Sequence, residues 1–402
     1  MNGETVHRAQ VFRLYPTSEQ EQRLSQWVGA VRAVYNVALE QRRAFWRPGR
    51  QFNFVTQGRE LKDLRAENEW IADVPRDCLD QALRDLDGAF RAWWERRAGR
   101  PNFRCRGQND SIRFPKPSEL GLRKSGKRSG KIKLPKLGEV TIRANRPMPD
   151  ELRNVTVFRR AGKWFAACVH RAHVAAPVAS GAPVGIDRGV RIFAALSNGD
   201  VIAGPNVGRK AAGALARAQR QLARKQKGSR NRDKAKLRVA RLRMRVANAR
   251  KDFLHKASTT IAQNHGVVVL EDLRIGNMTR SARGTIENPG KMVRQKAGLN
   301  RSILDQGWGM FQRFLAYKLA ERGGELVLVP ANDTSRTCAA CGIVDKASRS
   351  GARFSCTACG HTDDADLNAA INILRRGRAP VLPVEGSPAK APDETGTGGR
   401  AA

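Results

Sequence analysis

The chain has 402 residues, with 74 Lys and Arg against 37 Asp and Glu, a formal net charge of +37. At roughly 100–200 residues per domain it holds two to four domains, and its 41% apolar share excludes a generally disordered polymer. No stretch approaches the ~20 apolar residues of a membrane-spanning helix, the residues after Met1 lack a secretory apolar core, and a surplus this large calls for a polyanion, nucleic acid first.

Residues 7–14 alternate as one strand, which Tyr15-Pro16 ends. Thr17 then caps a helix, with Glu19 and Gln20 in its first turn and Leu24, Trp27, Val28, Val31, Val34 and Tyr35 at helical spacing. Further helices are expected over about 54–66 and 77–97; the second places Leu79, Leu83, Leu86, Phe90 and Trp93 on one side. Of Trp93-Trp94 one ring should point inward and one outward, free to stack on a base, while Trp27 and Trp308 read as core. Between 111 and 174 come short alternating runs (111–114, 131–134, 140–143, 155–159, 164–170) punctuated by Gly and Pro, which predict a small antiparallel barrel or sandwich. The first strand should join that sheet, making the helical lobe an insertion, and residues 175–183 read as a linker.

A third region opens with strand 184–187, a run over 191–196, the hairpin signal Asn198-Gly199, and a strand over 201–203. A long basic helical pair follows, broken at Gly228-Ser229-Arg230-Asn231; Ala235, Val239, Leu242, Val246, Ala249 and Phe253 form an apolar seam in its second helix. Then come strand 267–270, a loop from 275 to about 300, a helix over 302–322, strand 325–329, a cysteine module, and a helix from 366 to about 374. Residues from 378 onward lack periodicity and read as disordered.

Asp187 ends the first strand of this third region, Glu271 ends a later apolar strand, and Asp366 opens the last helix. Taken singly, each reads as a turn former or a helix cap. Strand, hairpin, helix, strand, helix, strand, helix, with acids at the first strand, the fourth strand and the final helix, is the order of an RNase H-like fold. Such acids meet at one sheet edge as hard oxygen ligands for Mg²⁺ or Mn²⁺. Two such ions ~3.5–4 Å apart clamp the attacking and departing oxygens of an in-line displacement at phosphorus.

Cys338-Ala-Ala-Cys341, then fourteen residues, then Cys356-Thr-Ala-Cys359 is a zinc-ribbon pattern, four thiolates around a structural Zn²⁺ with no open position. His361 has no place on that ion, and His255, beside Phe253 and Leu254, reads as an ordinary helix residue. The other three cysteines, Cys78, Cys105 and Cys168, lie far apart, so the chain is expected in a reducing compartment, the cytoplasm of a prokaryotic cell, near the nucleoid. In the basic pair the candidate phosphate contacts are Arg220, Arg224, Lys225, Lys227, Arg230, Arg232 and Lys234, relieved by the single acid Asp233.

These motifs in order resemble the TnpB (OrfB) family of transposon-encoded RNA-guided nucleases, related to compact type V CRISPR effectors. The resemblance runs through Arg13-Leu-Tyr-Pro-Thr17, Tyr35-Asn36, Gln81-Ala-Leu-Arg-Asp-Leu86, Gly99-Arg-Pro-Asn-Phe103 and Gly185-Ile-Asp187. It continues through Ala247-Asn-Ala-Arg-Lys-Asp-Phe-Leu-His-Lys256, Leu270-Glu-Asp-Leu273, Thr334-Ser-Arg-Thr-Cys338 and Asp366-Leu-Asn-Ala-Ala370. It implies a multidomain α+β and α/β chain: a wedge-like β-barrel with an inserted helical recognition lobe, then an RNase H-like RuvC domain with an inserted zinc ribbon.

On that basis residues 1–15 and 111–175 form the wedge, 16–110 the recognition lobe, and 183–330 the nuclease domain with its basic hairpin at 206–264. Residues 331–362 form the target-binding ribbon, 363–376 the last nuclease helix, and 377–402 a disordered tail. The resemblance carries the catalytic, metal-binding triad to Asp187, Glu271 and Asp366, and implies guide RNA and target DNA as partners. Asn332-Asp333 departs from the family, where a Tyr or similar residue is expected before Thr334. The implied activity is guided DNA cleavage beside a short flanking motif. The alternatives are a CRISPR effector with the same core, a guided DNA-binding repressor that does not cut efficiently, and an autonomous transposase, against which stands the lack of a nucleophilic tyrosine motif.

Overall fold

The computed structural model describes residues 4–45, 52–108, 110–174 and 181–378. Strand β1 (Glu4–Tyr15) leads into helices α1 (Ser18–Ala44), α2 (Phe54–Glu67), α3 (Glu69–Ala72) and α4 (Arg76–Trp94). Strands β2 (Ser111–Phe114), β3 (Gly121–Lys124), β4 (Ser129–Leu134), β5 (Gly138–Arg143), β6 (Leu152–Arg160) and β7 (Lys163–Val174) follow. After them come β8 (Val184–Asp187), β9 (Ala194–Leu196), β10 (Val201–Ile202), α5 (Val207–Ala223), α6 (Arg230–Asn264), β11 (Val267–Glu271), α7 (Ile275–Met278), α8 (Val293–Gln306) and α9 (Trp308–Ala320). The chain continues through β12 (Glu325–Val329), β13 (Arg349–Ser350), β14 (Arg353–Ser355), β15 (Thr362–Asp364) and α10 (Ala365–Arg378). Packing divides it into two compact units, Met1–Ala176 with Gly208–Asn248, and Pro177–Val207 with Ala249–Ala402.

In the first unit Thr17 and Gln20 exchange side-chain and backbone hydrogen bonds, a reciprocal capping box that starts α1. Trp27, Val31, Val34 and Leu39 of α1 are buried with Leu79, Leu83 and Leu86 of α4, and with Ile112, Val155 and Val157 of the sheet, in one core. The sheet is antiparallel in the order β2-β6-β7-β1-β5-β4-β3, so β1 joins it as expected and the helices are an insertion. It is an open sheet; the predicted barrel does not form among the described residues. The edge strands β2 and β3 each pair on one side only, and Pro115 and Pro117 between them bring no N–H with which to extend either ladder. In the α5–α6 pair Val239 is buried, whereas Ala249 of the predicted seam is exposed. Leu237 of α6 packs on the β6–β7 turn at Gly162, where φ is +72°. Neither ring of Trp93-Trp94 points inward: they are 37% and 65% exposed, because Phe90 has already filled the inward position at the end of α4.

In the second unit the five-stranded sheet runs β10-β9-β8-β11-β12; β11 is parallel to both its neighbours, and β9 is antiparallel to β8. Val268 and Leu270 face a core containing Phe311 and Leu315, whereas Val269 faces Ile373 of α10 on the other side. The helix predicted over 302–322 is two helices. Gly307 adopts φ +71°, ending α8 and starting α9, and α8 begins at Val293, inside the predicted loop. Trp308 is core at 4% exposure. His255 stacks on Phe314 at 3.9 Å between ring centres. Gly377 and Arg378 belong to α10; the rest of the predicted tail, and residues 175–180 of the predicted linker, lie outside the described residues.

Candidate active site and metal centre

Strand parity places the acids. Successive side chains of a strand alternate between faces, so Asp187 shares a face with Gly185, and Glu271 shares one with Val269. That face is covered by α10: a Cβ on Gly185 would stand 2.2 Å from the Ala370 carbonyl oxygen, and Val269 packs with Ile373. Ile186 pairs with Leu270 in the parallel ladder, so Asp187 and Glu271 follow side by side at the carboxyl ends of adjacent strands. Asp366 sits in the first turn of α10. Asp364 caps that turn, its Oδ1 accepting from the Asp366 N–H at 2.9 Å and the Leu367 N–H at 3.4 Å.

The electrostatics confirm that the three groups feel one another. Burial, then the charges of Glu271 and Asp366, push the Asp187 carboxyl up to about 7. Glu271 is 7% exposed, and its Oε1 accepts from the Thr334 hydroxyl at 2.5 Å. Two arginines moderate the negative charge. Arg349 of β13 pairs with Asp366 at 3.3 Å. Arg188 is 4% exposed and donates from Nη2 to the Glu271 carbonyl; burial holds its guanidinium down at about 10. Thr334, Arg188 as a buried partner, and Arg349 are residues that spacing did not single out. The run Thr334-Ser-Arg-Thr-Cys338 pointed at the segment but not at the hydroxyl that faces Glu271.

The donor set fits divalent cations. Three carboxylates gathered where one already resists ionisation make a site short of positive charge. The carboxylates are not as tightly drawn as the cysteines, which alone among the described residues form a set of three or more potential ligands within 4.8 Å of one another. A two-ion site does not ask for that closeness: with ions ~3.5–4 Å apart and oxygens ~2 Å from each, ligands on opposite ions lie ~7–8 Å apart.

The cysteines fit zinc in a different way. The Cys338 and Cys359 sulfurs are 3.7 Å apart and those of Cys341 and Cys356 are 3.6 Å apart. A tetrahedron with Zn–S bonds of ~2.3 Å has edges of ~3.8 Å. Each pair is a knuckle closed by the glycine that follows it: Gly342 and Gly360 adopt φ +79° and +73° and donate to the carbonyls of Cys338 and Cys356. N–H groups of Cys359 and Ala358 draw the Cys356 thiol down to about 6, while Cys359, crowded by the other sulfurs, is pushed up to about 12. The glycine after each pair is a signal that the sequence offered and spacing alone did not use. His361 approaches Asp363 at 3.9 Å rather than the sulfurs.

On the helical pair Arg220, Arg224, Lys225, Lys227, Arg230 and Lys234 are exposed. Arg232 is not available in the same way. It is half-buried, and its Nη1 donates to the carbonyls of Leu222 and Lys225 at 3.1 and 2.9 Å, closing the end of α5. Arg217, Lys234, Arg238, Arg241 and Arg245 instead line a cleft of about 480 Å³ between the two helices.

No described helix is long and apolar enough to cross a membrane. Family models match residues 166–282 ("Probable transposase", OrfB_IS605), 308–373 ("Cas12f1-like, TNB domain") and 1–51 ("Helix-turn-helix domain"). A relative from Escherichia coli (strain K12), described as "Putative RNA-guided DNA endonuclease InsQ", is 41% identical over 375 residues, 92% of each chain. A Streptomyces pristinaespiralis relative described in the same words, without InsQ, is 35% identical over 383 residues, 93% of this chain and 90% of its own. The solved structure described as "Cryo-EM structure of the Cas12f1-sgRNA-target DNA complex" shares the fold over 92% of this chain and 99% of its own, with a TM-score of 0.50 and 14% identity. With a near full-length relative at 41% identity, the chain belongs to the TnpB (OrfB) family.

Proposed function

We propose that this protein is an RNA-guided DNA endonuclease, transposon-associated or a compact type V effector, that cuts target DNA beside a short flanking motif in a RuvC-like, RNase H-type domain. The observation that carries the reading is that Asp187 and Glu271 end adjacent parallel strands under α10, whose first turn carries Asp366, with burial first and then the charges of the other two raising the Asp187 carboxyl to about 7. The strand order β10-β9-β8-β11-β12, with β8, β9 and β10 antiparallel and β11 and β12 parallel to β8, supports the RNase H-like assignment. Asp187, Glu271 and Asp366 hold Mg²⁺ or Mn²⁺, and Cys338, Cys341, Cys356 and Cys359 hold a structural Zn²⁺.

When bound, the divalent ions supply charge neutralisation and Lewis acidity for in-line displacement at phosphorus. The chain's own groups prepare that site. Burial and the charges of Glu271 and Asp366 favour the protonated Asp187, so a cation would have to displace that proton. Arg188 keeps a buried positive charge behind Glu271. Arg349, paired with one oxygen of Asp366 at 3.3 Å, would share that carboxylate with the cations. The guide supplies sequence recognition by pairing, and the exposed Arg220, Arg224, Lys225, Lys227, Arg230 and Lys234 contact phosphates without reading bases. All described cysteines are free of disulfides, which supports a reducing location, the cytoplasm near the nucleoid.

The test is to purify the chain with its bound RNA, sequence that RNA, and assay cleavage of matching DNA with Mg²⁺. Asp187→Ala is expected to lower cleavage at least ~10³-fold while RNA retention is unchanged. A variant that still cuts would remove the carboxylate site from the reaction. A wild-type chain that binds the matched target and leaves it whole would make the protein a guided repressor.

A further inference from the structure

The segment between β12 and the first cysteine pair is tied at both ends to functional groups. Thr334 is 3% exposed, and its hydroxyl donates to Glu271 Oε1 at 2.5 Å, with the Ala331 carbonyl a more distant alternative at 3.4 Å. The Thr334 carbonyl accepts from Asn372 Nδ2 at 3.1 Å. The same amide donates to the Thr337 carbonyl at 2.6 Å, and Asn368 Nδ2 reaches that carbonyl at 2.8 Å. Asn368 Oδ1 then accepts from the Ala339 N–H at 2.8 Å, inside the first knuckle. Asn368 and Asn372 are 0% and 4% exposed and stand four residues apart, on one face of the helix that carries Asp366.

Buried asparagines commonly do no more than satisfy backbone groups. Here, however, the chain of bonds ends on a carboxylate rather than on another backbone group, and a hydroxyl donor to a carboxylate fixes which way that carboxylate turns. The geometry points to Thr334 as a positioning residue that sets the rotation of the Glu271 carboxylate for divalent-cation binding, with Asn368 and Asn372 clamping residues 334–339 to α10 so that the thiolate knuckle and Glu271 share one hydrogen-bonded strap. The inference rests on the reading of Asp187, Glu271 and Asp366 as the cation site.

The test uses the full chain loaded with guide RNA and titrated with Mn²⁺ by electron paramagnetic resonance; Asp187→Ala on the same RNA supplies the background, and zinc content is measured in every sample. Thr334→Val keeps the volume and removes the hydroxyl. It is expected to weaken the protein-specific Mn²⁺ site ~10–100-fold with zinc retained. The half-saturating Mn²⁺ for cleavage should rise, and the rate at saturating Mn²⁺ should largely recover. Thr334→Ser should restore affinity to within a few-fold of wild type. Wild-type Mn²⁺ affinity in Thr334→Val, while Glu271→Ala abolishes the site, overturns the positioning role. No loss of Mn²⁺ in Glu271→Ala or Asp187→Ala overturns the cation-site reading instead. If Thr334→Val loses zinc, Thr334→Ala, which also lacks the hydroxyl, decides among zinc-replete samples: weakened Mn²⁺ affinity supports the role, and wild-type affinity overturns it.

Discussion

The thiolate cluster and the carboxylate cluster of the second unit are built by opposite means. The four sulfurs are gathered locally, each pair by a two-residue spacer and a glycine at positive φ, and the pairs stand at tetrahedral edge lengths. The carboxylates come from positions 187, 271 and 366, and what brings them together is a parallel ladder and a helix laid over Gly185. The first cluster is closed at tetrahedral edge lengths. The second is held in electrostatic tension, with one acid lifted to about 7 and an arginine leaning on another. A closed shell suits an ion that stays; an open and repulsive one suits ions that must meet a substrate.

The comparison can be broken most sharply at the ribbon. Cys341→Ser, or a strong zinc chelator, should remove most of the ~10–16 kcal/mol of apparent binding free energy that a structural zinc contributes; rapid proteolysis within 338–360 alongside loss of bound zinc checks this. Next in size, Gly185→Ala should cost about 1–3 kcal/mol by overpacking, because the new methyl meets the Ala370 carbonyl and the Leu374 backbone; thermal unfolding measures it, with zinc content unchanged. The tension at Asp187 sharpens the contrast through pH. Its folded carboxyl stays protonated up to about 7, while an unfolded one ionises near 3.8. The stability that it contributes without metal is therefore full below about 4 and is lost as pH rises through about 7. Asp187→Asn should flatten that part of the profile in denaturant titrations. The smallest effect separates arginines on the helical pair. Arg224→Ala should lower the salt slope of nucleic-acid binding by about 1, whereas Arg232→Ala should leave the slope nearly unchanged and loosen the end of α5.

Legibility followed the same division. The ribbon could be read from spacing, because its ligands are near in sequence. The acids could be read as an ordered set, since each ends or begins an element whose apolar run is plain. Thr334 and Arg188 could not, because a hydroxyl or guanidinium acquires its role only from what the fold sets against it. Gly307 was read through because helical periodicity persists on both sides of it; only its positive φ separates α8 from α9. The barrel expectation failed for a related reason. Alternation counts strands, and nothing in it says whether the two outermost strands meet.

Gly185 has a consequence for how such a nuclease can be silenced. A chain that kept every acidic side chain but gained a methyl beneath α10 would misplace Asp366 relative to the two strand ends while leaving its cationic surface intact. On the proposed reading, loss of cutting with retention of target occupancy is thus one base change away, at a codon that an inspection of Asp187, Glu271 and Asp366 alone would pass as healthy.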